Sequence, residues 1–131
     1  MEITFEGGKI ITAHLGGHDI RTDQPLDSGG TNIAPSPYDL FLASIGTCAG
    51  IYVKSYCDNH NLPTEGIKLI QHHEWDSEGK LPVKISIEID VPESFPSKYI
   101  PSLVHVANLC KVKKTIANPP EFEIKTRAIQ K

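Results

Sequence analysis

The chain has 131 residues, 39% of them hydrophobic and 22% charged, which fits one soluble globular domain over 1–131 and excludes a disordered chain. Its net charge of -3 and pI of about 6.0 argue against nucleic acid as a partner, since phosphate binding draws on a basic surface. No run reads as long and apolar enough to cross a bilayer, and MEITFEGG lacks the pattern of a signal peptide, so the expectation is a cytoplasmic protein with no membrane partner.

EITFEG, KIITAHL and HDIRTD read as three short strands, separated by Gly7-Gly8 and Gly16-Gly17. Glycine pairs between β-branched runs suit tight hairpins. QPLDSGGTNIAPSP, rich in proline and glycine and without periodicity, reads as a loop. A helix then begins at Ser36-Pro37, with Ser36 as N-cap and Asp39 in the capping-box position. Phe41, Ile45, Cys48, Tyr52 and Tyr56 fall on one stripe of that helix. Leu42, Ala43, Gly46 and Ala49 make its other face apolar too, which suits a central, buried helix.

GIKLIQHHEW and VKISIEIDV read as two strands joined by a polar turn in DSEGKLP. Val83, Ile85, Ile87, Ile89 and Val91 alternate with polar residues, the mark of a sheet with one wet face. PSKYIPSLVHVANLC reads as a second helix with Leu103, Ala107 and Cys110 on one stripe, and KVKKTIAN continues it or opens a third. EFEIKTRAI reads as a closing strand, with Phe122, Ile124, Thr126 and Ala128 on one side. The order β-β-β-α-β-β-α-β, with antiparallel hairpins and helices on one face, makes an α+β domain.

Three cysteines is an odd number, a poor fit to a disulfide framework in a reducing compartment. Cys48 and Cys57 lie nine residues apart, on opposite sides of one helix, so they neither bond nor share a metal. Cys57, beside Asp58 and Asn59, reads as incidental. Cys48 reads from its position alone as a small core residue. Cys110 precedes Lys111, Lys113 and Lys114, and nearby cations favour a thiolate, although those lysines also fit a solvated face. His72 and His73 point to opposite faces of a strand, so no metal site is expected.

TNIAPSPYDLFLASIGTCAGIYVKSY, followed some sixty residues later by ANLCKVKKTI, resembles the OsmC/Ohr family of thiol-dependent peroxidases. The resemblance implies an intertwined homodimer, with antiparallel sheets wrapped around central helices and each active site at the interface. It implies no cofactor, an organic hydroperoxide as substrate, and a dithiol reductant such as a lipoyl protein. Carried over, Cys48 attacks the peroxide and Cys110 resolves the sulfenic acid to a disulfide. The family activates its first cysteine with an arginine held by a carboxylate. Tyr38 stands where the peroxidase branch has Glu, which leaves Asp39 as the carboxylate candidate, with helix capping as its other role. Arg21 is the arginine candidate, with Asp19 and Asp23 on its own face of the strand. Lys111 stands where that branch commonly has Pro. Phe41, Ile45 and Tyr52 are expected to line an apolar substrate pocket. The alternatives are a non-catalytic protein that binds a small apolar ligand, and a thiol-transfer or persulfide-handling protein.

Overall fold

In a computed structural model that describes residues 1–129, the chain packs as two compact units, Met1–Thr47 and Cys48 onward. The first unit opens with a three-stranded antiparallel sheet, β1 (Glu2–Gly7), β2 (Ile10–Leu15) and β3 (His18–Thr22), in the order β1-β2-β3. Gly16 and Gly17 both take positive φ, 57° and 81°, which closes the β2–β3 hairpin on the pair Leu15 and His18. Two consecutive positive-φ residues fit a type I′ turn, whose twist matches that of the strands.

The pairing register segregates this sheet into two faces. Ile3, Ala13 and Ile20 lie in one row, and Phe5 and Ile11 in the next, all on one side. Glu2, His14 and Asp19 form a row on the other side, as do Thr4, Thr12 and Arg21. On that polar side His14 bridges Thr4 (2.9 Å) and Asp19 (2.7 Å).

Beyond β3 the chain is pinned by Asp23, only 1% exposed. Its carboxylate accepts from the Gln24 N–H (2.7 Å), the Thr31 N–H (3.0 Å) and hydroxyl (2.7 Å), and the Ile33 N–H (3.3 Å). The Thr31 hydroxyl first, together with those amides, outweighs burial and holds the carboxyl down at about 2. Gly30 is obligatory in this loop, because a Cβ there would sit 1.9 Å from the Gln24 carbonyl oxygen.

Helix α1 (Pro37–Asn59) starts with the expected reciprocal cap. The Asp39 N–H donates to Ser36 Oγ (3.1 Å), and the Ser36 N–H and hydroxyl donate to Asp39 Oδ2 (3.0 and 2.7 Å). The helix ends where Asn61 takes φ 52° and the Leu62 N–H returns to the Cys57 carbonyl (2.9 Å). The expectation that no run could span a bilayer needs correction. By length and composition α1 qualifies, with a mean hydropathy of 1.3. A core helix meets the same criterion, and the second half of α1 is packed as one.

The second unit holds the hairpin β4 (Lys68–Trp75) and β5 (Pro82–Asp90), then α2 (Ile100–Asn108) and α3 (Lys111–Ala117). Its core joins Ala49, Val53 and Cys57 of α1 to Phe95, Leu103 and Ala107. Leu69, Ile87 and Ile89, the inward row of the hairpin, pack on that cluster. The buried stripe of α1 is therefore Leu42, Ile45, Ala49, Val53 and Cys57, rotated from the expected one. Cys57 is not incidental but fully buried, and burial pushes its thiol pKa up.

The expected closing strand is also corrected. Among the described residues, those after α3 form no strand, and Phe122 and Ile124 are 88% and 95% exposed. The alternating pattern supplies a propensity, but a strand also needs a sheet edge to pair with, and this segment joins neither sheet.

Candidate functional site

Cys48 and Cys110 come together. Cys48 sits midway along α1 and is half-buried, while Cys110 is fully buried at the corner between α2 and α3. The sequence places Cys110 on the α2 stripe with Leu103 and Ala107, and all three are buried as expected. Cys110 is the N-cap of α3, with φ -46° and ψ 123°, and its sulfur accepts from the Lys113 N–H at 3.5 Å. A sulfur at this position takes the place of the usual capping oxygen.

The two thiols are hydrogen-bonded to one another, and their acidities move in opposite directions. The Val112 N–H lowers the Cys48 pKa most, with further help from the Cys110 thiol, the Lys111 N–H and the Lys111 charge, against the opposing cost of burial. Burial raises the Cys110 pKa, and its contacts with Cys48 raise it further, with the Lys113 N–H partly offsetting them. The pair thus divides into a more acidic thiol, Cys48, and a less acidic one, Cys110, whose S–H is the donor between them. Separated acidities in one pair divide nucleophile from proton carrier.

That distribution corrects one expectation. The lysines after Cys110 were expected to favour a thiolate there, but Lys111 acts on Cys48, and Cys110 is the less acidic thiol. Sequence reasoning missed the amides of Lys111 and Val112 as activating groups. The available signal was the residue after Cys110: proline has no N–H to donate, and lysine does.

The remaining candidates lie as follows. Arg21 Nη2 pairs with Glu6 Oε2 at 3.0 Å, not with Asp19 or Asp23. Asp19 faces His14, and Asp23 is taken up by the loop amides. Asp39 is engaged by Ser36, whose hydroxyl and amide lower its pKa. Phe41 is 41% exposed and stacks on Tyr38 at 5.7 Å between ring centroids. Ile45 is buried, and Tyr52 is half-buried one turn beyond Cys48. His72 faces Glu88 and His73 hydrogen-bonds Gln71, on opposite sides of the hairpin.

The family model described as OsmC-like protein matches residues 29–125, a span that includes both cysteines. The chain belongs to the OsmC-like family. Among solved structures, this OsmC-like chain is similar to a protein of Psychrobacter arcticus 273-4 described as an osmotic-stress-induced and detoxification-response protein. That match has a TM-score of 0.72 and 22% identity, covering 87% of this chain and 85% of the other. It is also similar to an organic hydroperoxide resistance protein OsmC of Legionella pneumophila, described as a redox protein. There the TM-score is 0.54 and identity 14%, covering 88% and 85%. At these identities the likeness shows the fold: an α+β OsmC-like architecture with antiparallel sheets. No curated protein matches the chain.

Proposed function

We propose that this OsmC-like protein is a thiol-dependent peroxidase that reduces organic hydroperoxides through Cys48 and Cys110. The observation that carries the proposal is the hydrogen-bonded pair with opposed acidities. The Cys48 thiolate attacks the distal peroxide oxygen. The O–O bond breaks, and the alkoxide takes a proton from solvent and leaves as an alcohol. Cys48 becomes a sulfenic acid. Cys110, having kept its proton, then attacks the Cys48 sulfur and gives that proton to the departing hydroxide, so water and the Cys48–Cys110 disulfide result. An external dithiol, of which a lipoyl group is one form, returns two electrons and two protons by exchange.

The working unit in this proposal is a cytoplasmic homodimer of one-domain chains, acting without nucleic acid, membrane or cofactor. Support for the dimer comes from apolar surface that a single chain leaves open. Ile3, Phe5 and Ile20 on one face of the first sheet are 49%, 84% and 36% exposed, and Phe122 and Ile124 stand free of both sheets. Soluble monomers rarely expose contiguous apolar patches of this kind. Sedimentation at micromolar concentration is expected to give twice the chain mass, and a monomer contradicts this part of the proposal.

The activity is tested by turnover of cumene hydroperoxide with dithiothreitol. The wild type is expected to turn over, and Cys48→Ser to be inactive. Wild-type turnover no faster than that of Cys48→Ser overturns the reading.

A further inference from the structure

The charges of the chain are unevenly distributed around the two thiols. The protein is acidic overall, yet residues 94–120 hold Lys98, Lys111, Lys113 and Lys114 with no Asp or Glu. Three of these lysines lie on α3, the helix that Cys110 caps. Lys111 and Lys114 are exposed. Lys113 Nζ reaches only the neutral Asn108 Oδ1 (2.6 Å), and Lys98 lies over the Tyr99 ring at 4.8 Å. Among the described residues none of the four is ion-paired, while Lys54, Lys80 and Lys84 each have a carboxylate partner. Uncompensated like charges on one short helix cost the folded chain a small repulsion, which an anionic partner would relieve.

We propose that the lysines of α3 recruit an anionic dithiol to the Cys48–Cys110 disulfide. This inference rests on the disulfide of the cycle proposed above. That disulfide needs an outside donor of two electrons, and a donor's approach is the step on which a fixed local field acts. In the reaction one thiolate of the donor attacks a sulfur of the disulfide, and the other protein sulfur leaves. The donor's second thiol then closes on the mixed disulfide, leaving two protein thiols and an oxidised donor. Negative charge on the donor raises its local concentration beside α3, and salt screens the effect.

The test uses the full-length protein with the disulfide formed by diamide, which takes up the two electrons and two protons of the thiols, so that the outcome is independent of peroxidase activity. Reduction by dihydrolipoate, an anionic 1,3-dithiol that closes to a five-membered cyclic disulfide, is compared with reduction by neutral dithiothreitol, which closes to a six-membered one. Lys114→Glu is expected to slow dihydrolipoate about twofold at low ionic strength and to leave dithiothreitol unchanged, a gap that closes at about 1 M salt. Lys80→Glu, an equal charge change on the β4–β5 turn, is expected to leave both rates alone. Equal slowing of both reagents by Lys114→Glu, no slowing of either, or an equal effect of Lys80→Glu overturns the proposal. So does failure of diamide to form the disulfide.

Discussion

Cys110 donates a hydrogen bond to Cys48, and it also caps the helix whose first amides lower the Cys48 pKa. One residue thus positions both the S–H and the N–H groups that lower the Cys48 pKa. The activating environment is built from backbone and from Lys111.

Separate roles for the two thiols predict separate failures. Cys48→Ser is expected to abolish peroxide consumption. Cys110→Ser is expected to allow about one equivalent, then stall as the sulfenic acid. Dimedone trapping followed by mass spectrometry checks this, with the adduct expected on Cys48 alone. An adduct on Cys110 in the wild type contradicts the assignment.

Lys111 acts through both its N–H and its charge, and two substitutions separate them. Lys111→Ala keeps the amide and loses the charge. Lys111→Pro loses both, while the first helical position tolerates proline and the Cys110 ψ of 123° suits a residue before proline. Because a hydrogen bond to a charged group is worth roughly 1.5–3 kcal/mol, Lys111→Pro is expected to slow Cys48 alkylation at neutral pH about tenfold or more. Lys111→Ala is expected to have a smaller effect. Equal effects contradict a role for the amide.

Asp23 ties acid stability to the loop before α1. Its pKa falls from 3.8 to about 2 on folding, so its contribution is present above the unfolded value and is lost as pH falls through the folded one. Urea midpoints are expected to drop between about pH 4 and about pH 2. Asp23→Asn is expected to lower the midpoint at neutral pH and to flatten that drop. An unchanged profile in the variant contradicts the account.

The core makes a prediction independent of the chemistry. Leu103, 1% exposed, is expected to cost about 2–5 kcal/mol on truncation to Ala, read from chemical denaturation. Cys57→Ser places a hydroxyl in the same cluster and is expected to cost about 1–3 kcal/mol while leaving peroxide consumption intact. Loss of activity in a folded Cys57→Ser protein contradicts its assignment as a packing residue.

What the sequence made legible follows from how local each signal is. The Ser36–Asp39 cap, the Gly16-Gly17 hairpin and the β5 alternation depend on a few adjacent residues, and all three form as read except at Val83, 68% exposed where the β4–β5 register shifts. The stripe of α1 was harder, because this helix is apolar nearly all round and the packing partners choose the buried side. Leu42, Ala49 and Cys57 lie on it, while Phe41 remains exposed. The closing strand was illegible for a related reason: Phe122 and Ile124 carry the pattern, but among the described residues this segment pairs with neither sheet, and a local pattern does not choose an edge. The meeting of Cys48 with Cys110 is a tertiary fact that helical periodicity left open. The family resemblance supplied it, and the α3 amides that tune the pair were visible to neither reading.

The most direct test of the central claim is the pH dependence of iodoacetamide alkylation, followed separately at each cysteine by mass spectrometry. The account predicts that Cys48 reacts with a midpoint below the ordinary thiol value and Cys110 with one above it. Coincident midpoints, or the reverse order, would contradict the division of the pair into nucleophile and resolving thiol.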